Sequence, residues 1–344
     1  MKKILFVFLQ LFLIIKCFSL KKIINYLKIK LSYFLSFFKI MTKYDVMPVS
    51  ASFEPSNFCN LRCPECPVGM RANKNQKSET MDFDLFKNIF NELKTNLLYA
   101  IFYFQGEPLT NKNLMKIIAF AHANRVFTMT STNAQLLDNQ TARELVESGL
   151  DKIIISIDGA TQEIYEQYRV GGLIEKAING VKFIEKWKSQ LRKQTPLVEI
   201  QCLLLRTTET QIAQMKQLAK TLNADNIIFK TAQFYDFENG NPLMPKNEKF
   251  SRYCQNSDGK YVIKNKLRNR CPRLWEGAVI TADGKILPCC YDKNADFVFG
   301  KFEKTNETEK NHFKEIFNGK AARTFRKKIL SNRKQFEICR NCTE

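Results

Sequence analysis

From about residue 50 the chain alternates short β-type runs with longer stretches whose apolar residues return every three or four positions. The β-type runs are Ser50 to Glu54, Tyr99 to Phe104, Val126 to Ser131, Lys152 to Ile157, Leu197 to Leu205 and Asn226 to Thr231. Helical spacing holds over Asp82 to Asn96, Asn111 to Ala123, Asp138 to Ser148, Leu173 to Arg192 and Thr208 to Leu222. Strand and helix in turn predict successive βα units around a mainly parallel sheet. In such units the reactive groups collect in loops after the C-terminal ends of the strands, so those loops are where chemistry is sought.

The first fifty residues follow a different pattern. Residues 4 to 15 (ILFVFLQLFLII) are an apolar run behind Lys2 and Lys3, the outline of a signal peptide, but Lys16 follows directly and no small-x-small cleavage site stands near Ser19. Extended to Leu20, the run barely reaches the ~20 residues that span a bilayer, and only by including Lys16. Residues 21 to 40 place Lys21, Asn25, Lys28, Ser32, Ser36 and Lys39 on one side of a helix and Ile24, Leu27, Leu31, Phe34 and Phe38 on another. Such an amphipathic helix suits either the surface of an anionic bilayer, with residues 1–42 as the segment of peripheral association, or packing on the body of the protein. Membrane attachment would favour a lipid-linked or surface-glycan substrate.

A 44% hydrophobic and 26% charged content is that of a folded globular protein, and 344 residues fit one α/β domain plus a smaller appendage. Lys and Arg outnumber Asp and Glu by 54 to 34, a formal +20. The first fifty residues hold nine Lys against a single acid, Asp45, and the rest of the charge is spread thinly. Without a basic stripe interleaved with aromatic residues, no nucleic-acid partner is expected. The eleven Cys form two CxxC-like groups separated by long Cys-poor stretches, which suits metal ligation in a reducing compartment, the cytoplasm, better than a disulfide scaffold. Cys17, Cys202 and Cys254 stand apart from these groups and read as buried, inert thiols.

The first group follows the first strand directly: Glu54-Pro-Ser-Asn-Phe-Cys59-Asn-Leu-Arg-Cys63-Pro-Glu-Cys66. A closed structural zinc site takes four ligands, whereas a cubane held by three thiolates leaves one iron open to a small molecule. The spacing CxxxCxxC on the loop after the first strand resembles that of the radical SAM superfamily, over roughly residues 50 to 342. The resemblance implies a [4Fe-4S] cluster on Cys59, Cys63 and Cys66 whose open iron chelates S-adenosylmethionine (SAM), and reductive cleavage of SAM to a radical that takes a hydrogen from substrate. One position departs from the family: the residue before the third cysteine, usually aromatic, is Glu65, so adenine packing must come from elsewhere.

Further along, Gln105-Gly106-Glu107-Pro108 looks like the family's GGEP motif with Gln for the first Gly. By that resemblance Gln105 and Gly106 approach SAM and Glu107 pairs with its ammonium. Asn133 after the third strand, Ser156 and Asp158 at the end of the fourth, and Arg169 in YEQYR are implied cofactor contacts on the same ground. Gln201 and Lys230 are inward-facing polar candidates on the fifth and sixth strands.

Residues 232 to 270 lose the βα rhythm and read as a bridging segment. Cys271 then opens a second module, in which Asp283-Gly284 is a hairpin signal and the hairpin presents Cys289 and Cys290, before the closing Cys339-Arg-Asn-Cys342. This resembles the SPASM extension of radical SAM enzymes in its shortened Twitch form. It implies one auxiliary [4Fe-4S] cluster on Cys271, Cys289, Cys339 and Cys342, with Cys290 as the competing ligand and four-thiolate zinc as the competing metal. In some SPASM relatives an Asp directly after the hairpin cysteine helps to remove a proton, which makes Cys290 a candidate catalytic residue.

The implied architecture is a partial (β/α)6 TIM-type barrel over residues 50–231, a bridge over 232–270, a SPASM/Twitch-like hairpin and helix module over 271–344, and an extension over 1–49 with an amphipathic helix. The implied activity is radical oxidation or modification of a peptide, a protein or a sugar-like small molecule. It would be served by an external electron donor of the flavodoxin or ferredoxin type. The alternative is a non-catalytic iron-sulfur or zinc protein, or an electron carrier. Three thiolates argue against a carrier, which closes all its irons with protein ligands.

Overall fold

A computed structural model describes residues 2–38, 46–70, 78–303 and 312–343. In chain order the elements begin with α1 (Lys2–Lys16), α2 (Leu20–Ser36), β1 (Ser50–Phe53), α3 (Phe83–Leu93), β2 (Tyr99–Phe102), α4 (Leu114–Ala123), β3 (Phe127–Thr132) and α5 (Asn139–Glu147). They continue with β4 (Lys152–Ser156), α6 (Gln162–Tyr168), α7 (Ile174–Gln190), β5 (Leu197–Leu204), α8 (Ile212–Thr221) and β6 (Asn226–Thr231). The last third adds β7 (Tyr253–Gln255), β8 (Tyr261–Ile263), α9 (Arg273–Glu276), β9 (Gly277–Ile280), β10 (Lys285–Leu287), β11 (Gly300–Lys301), α10 (Phe313–Phe317) and α11 (Lys320–Asn332). The six strands and five helices expected between residues 50 and 231 all form, and the helix starts shift for a physical reason. Asp82 and Asp138 are N-caps, whose carboxylates accept from the amides of Leu85 and Thr141, so α3 and α5 begin one residue later than the spacing suggests. The sequence reading lacks α6, and it lacks the β7–β8 hairpin inside the bridging segment.

Strands β1 to β6 lie side by side in sequence order and parallel, with Ser50 opposite Tyr99, Met129 opposite Lys152 and Glu199 opposite Asn226. On the other side of β1, β9 joins parallel to it, with Ser50 opposite Gly277, and β10 and β11 follow antiparallel. The C-terminal hairpin, turning at Gly284 with φ +87°, therefore continues the main sheet and is not a separate layer. One nine-stranded, mostly parallel sheet results, with β11 and β6 at its two ends.

Alternation along the strands sends Phe53, Phe102, Ile153, Ile155, Val198 and Ile200 to the helix-covered face, where they form one buried core with α3, α4, α5 and α7. Phe53 packs against Phe86 at 5.0 Å and Phe102 at 6.0 Å between ring centroids, and each fully buried ring contributes about 1.5–3 kcal/mol. The opposite face is polar near the beginnings of β4 to β6. There Lys152 and Glu199 form a buried ion pair at 2.9 Å, and the Asn226 amide donates to the same carboxylate at 2.7 Å.

The N-terminal helices close the edge of the sheet where its strands begin. Ile14 of α1 and Cys17 just after it bury against Phe127, with Tyr99 and Met129 alongside. Helix α2 is held by polar bonds: the Lys22 ammonium donates to the carbonyls of Cys17 and Arg125, and the Asn25 amide pairs with the backbone of Met47. Ile29 enters the main core and Tyr33 packs edge-on against Trp275. The described part of the amphipathic segment packs its Lys22 and Asn25 side on the body of the protein and leaves its apolar side exposed, while positions 39–42 lie outside the described residues. Among the described residues no single helix is long and apolar enough to cross a membrane; α1 and α2 meet the length and composition together, bent by 103°.

Candidate active site

Ser52 on β1 donates to the Tyr103 carbonyl from the sheet face opposite the core, and Glu54, two residues on, continues in that direction. The cysteine loop starts just beyond. Its turns are local, with the Leu61 amide on the Cys59 sulfur at 3.4 Å, the Cys66 amide on the Cys63 carbonyl and the Met70 amide on the Cys66 carbonyl. The loop after β2 lies directly against it. Gly106 has φ +62°, and a Cβ there would stand 2.2 Å from the Ser56 carbonyl oxygen, so the second position of QGEP admits only glycine. The next amide, of Glu107, donates to the Phe58 carbonyl at 2.7 Å.

Glu107 is buried and ties the loop after β2 to the end of β3: its carboxylate accepts from the Thr132 hydroxyl (2.6 Å), the Asn133 amide (2.8 Å) and the Leu109 amide (3.1 Å). Burial raises its pKa, and these bonds pull the other way. Asn133 in turn reaches the cysteine loop, donating to Asn60 at 2.8 Å with the Cys59 sulfur at 3.6 Å. Arg169 binds Asp158 through Nε at 2.6 Å and places Nη1 3.9 Å from the Cys63 sulfur, while Asp158 also accepts from the Leu203 amide. Gln105 donates to the Lys293 carbonyl beyond the C-terminal hairpin. Ser156 is buried at the end of β4. Glu65, the departure from the motif, accepts from the Tyr235 amide and the Asn241 side chain and so ties the bridging segment to the cysteine loop.

The second cysteine group gathers from two distant segments. Cys271 stands within electrostatic reach of Cys339 and Cys342, and Cys289 within reach of Cys271 and Cys339. Among them lies the buried guanidinium of Arg333, 3.0 Å from the Cys342 sulfur and hydrogen-bonded to Cys339. Cys290 turns elsewhere: Arg273 donates to its sulfur at 3.2 Å, and Tyr103 and Lys230 on the open sheet face lie within electrostatic reach of it. Of the isolated thiols, Cys17 and Cys202 are buried as expected, whereas Cys254 on the short β7–β8 hairpin is only half-buried, because that hairpin lies outside the main core.

Burial pushes the Cys59 thiol up to about 11 and raises Cys63, Cys271, Cys289 and Cys339 as well. Bare, those five thiols favour the protonated form. Buried sulfurs beside guanidinium groups are the donor set that an iron-sulfur cluster stabilises as thiolates, and the residues present fit such a group. Among the described residues no three His, Cys, Asp or Glu side chains draw together as around a single ion. A cubane does not require that, since each thiolate binds its own iron.

Sequence reasoning passed over Glu54, Arg333 and Arg273. Glu54 carried a faint signal, two residues beyond the inward-facing Ser52. The Arg333 and Arg273 pairings depend on contacts that spacing along the chain does not encode.

Residues 53–189 match the family model of the radical SAM superfamily, and residues 271–343 match SPASM, an iron-sulfur cluster-binding domain; together they take in more than half of the chain. A PqqA peptide cyclase of Bradyrhizobium diazoefficiens (strain JCM 10833 / BCRC 13528 / IAM 13628 / NBRC 14792 / USDA 110) is 26% identical over 261 residues, 71% of this chain and 67% of the relative. Among solved structures, Streptococcus suis SuiB bound to S-adenosylmethionine superposes with TM-score 0.59 at 15% identity, covering 81% of this chain and 68% of that one. BtrN in complex with AdoMet and 2-DOIA superposes with TM-score 0.51 at 18% identity, covering 88% and 95%. These two share the fold. The chain belongs to the radical SAM superfamily and carries a C-terminal SPASM domain. It is an enzyme of the kind that uses a [4Fe-4S] cluster with SAM and an auxiliary iron-sulfur site, which sets the non-catalytic alternative aside.

Proposed function

We propose that this enzyme oxidises or otherwise modifies a peptide or protein substrate in the cytoplasm, beginning with removal of a substrate hydrogen. The observation that carries the reading is the pairing of an open three-thiol loop after β1 with a four-thiol group on the extension of the same sheet. When bound, the cluster and SAM supply reductive cleavage of the cofactor and the radical that takes the hydrogen. Cys59, Cys63 and Cys66 hold the first cluster. Cys271, Cys289, Cys339 and Cys342 hold the second, with Arg333 offsetting their charge. Glu107 has unused acceptor capacity on a buried carboxylate, which suits the SAM ammonium group. Gln105, Gly106, Asn133, Ser156, Asp158 and Arg169 line the same strand ends. Here Asp158 positions Arg169, and Gly106 brings two loops together.

Cys290 faces the open sheet face with Tyr103, Lys230 and Arg273 near it, where a substrate proton could be received. Lys230 and Arg273 suit a substrate segment that bears carboxylates. Peptide substrates are favoured by the cyclase relative and by the match to SuiB bound to its precursor peptide SuiA. The second reading, a sugar-like small molecule, rests on BtrN, nearly all of whose chain is matched. Cys59 and Cys66 are half-buried, and exposed Phe58, Met70, Leu136, Val170 and Leu173 lie in and around the loops beside them, a face suited to an external flavodoxin- or ferredoxin-type donor.

Anaerobic incubation with dithionite and SAM tests the reading by release of 5′-deoxyadenosine. The native chain releases it and Cys59→Ala does not. Cys290→Ala keeps the iron content and the unliganded release of the native chain, whereas Cys289→Ala loses about four irons. Absence of 5′-deoxyadenosine from the fully loaded native enzyme would contradict the proposal.

A further inference from the structure

Helix α2 is assembled inside out. Its protein-facing side buries Lys22, Asn25 and Ser36 beside Ile29, with Lys22 and Asn25 satisfied by backbone partners. Its outer side presents Ile24, Leu27, Leu31 and Phe34, and α1 presents Phe8 and Phe12. A helix on a soluble globule normally shows the reverse. Of the 24 exposed large hydrophobic side chains among the described residues, 17 lie between residues 4 and 38. They are interspersed with exposed Lys3, Lys16, Lys21 and Lys28, and the two helices carry no acidic residue.

We propose that this two-helix face docks on the surface of an anionic lipid bilayer, with both helices lying in the interface. Charge complementarity selects that occupant, since an apolar face on two helices that carry Lys and no acid, with Glu92, Glu276 and Glu315 set back on neighbouring elements, matches acidic headgroups above hydrocarbon. Crossing is disfavoured by geometry. Fifteen residues of α1 span ~22 Å against a hydrocarbon core of ~30 Å, and α1 would have to abandon the burial of Phe6 and Ile14. The docked face also has a direction. Its inner contacts, to Arg125, Phe127, Met47 and Trp275, are with segments that precede or begin β3, β1 and β9. The cysteine loop, Glu107, Asn133 and Arg169 follow the opposite ends of strands, roughly 13–20 Å of sheet away. The enzyme therefore sits with its cofactor end turned from the lipid, and substrate arrives from the aqueous side. That goes beyond the proposed chemistry and reverses the expectation of a lipid-linked substrate.

Flotation of the full chain with vesicles of phosphatidylglycerol and phosphatidylethanolamine, or of phosphatidylcholine alone, tests docking. The expected result is recovery with the anionic vesicles, falling ~tenfold in a Leu27→Asp, Phe34→Asp double variant and falling with added salt. Equal recovery of native and variant, or none with anionic vesicles, overturns the proposal. So does a native dimer in light scattering that the double variant converts to monomer, since a second copy would then be the occupant. Orientation is read with brominated lipids in the full chain, after subtracting the signal of its two native tryptophans. Fluorescence at Phe34→Trp should be quenched and at Leu136→Trp should not; the reverse would place the cofactor end on the bilayer. None of these readouts depends on turnover.

Discussion

Gly106 shows how one position can hold a cofactor loop. Its left-handed backbone and the 2.2 Å approach to the Ser56 carbonyl leave no room for a side chain. Gly106→Ala faces ~1–2 kcal/mol of backbone strain before any steric clash is counted. The loops after β1 and β2 must then separate, so the variant should load about four fewer irons while keeping the auxiliary site, as metal analysis would show; full iron loading would contradict this. Glu54 presents a different tension. It accepts from the Ala282 amide at 3.1 Å through one oxygen, while the other makes no well-formed hydrogen bond among the described residues and feels only a weak pull from the Gln105 amide. Burial pushes its carboxyl up to about 7, against the pull of that amide and of Lys293. A folded-state pKa above the unfolded one means that the folded form holds the proton longer. Its contribution is therefore neutral near pH 4 and turns destabilising as pH rises through 7, by on the order of 1.4 kcal/mol for each tenfold difference in proton affinity between the folded and unfolded chain. Glu54→Gln should melt at the same temperature as the native chain at pH 4 and several degrees higher at pH 8; equal melting at both would refute the account.

The βα rhythm was legible because the six strands and the five longer helices between residues 50 and 231 each carry their own periodicity, whereas the seven-residue α6 is too short to show one, and caps such as Asp82 and Asp138 mark the starts. The cysteine loop was legible because its spacing is local. What stayed hidden depends on distant partners. Strand β9 reads as half of a hairpin, and nothing in GAVI announces that it will pair with β1 more than two hundred residues earlier. Helix α2 reads correctly as amphipathic, but periodicity does not say which side turns inward. The Lys and Asn side went inward because backbone carbonyls at Cys17, Arg125 and Met47 were there to satisfy it. Losing one such partner should therefore weaken the attachment of α2.

The SPASM hairpin and the radical SAM strands share one sheet, so the two cysteine groups occupy a common framework. Glu54 on the motif strand bonds the hairpin turn at Ala282, and Gln105 beside Gly106 bonds Lys293 beyond it, so each group's loop is braced by the other's. Two clusters on one sheet are the basis of the catalytic reading. Iron and acid-labile sulfide content after anaerobic reconstitution tests it most directly, on the native chain and on a Cys59→Ala, Cys63→Ala, Cys66→Ala variant. About eight irons falling to about four is the predicted result, two four-iron clusters with the second independent of the first. Zinc in place of iron, with no loss in the variant, would contradict it.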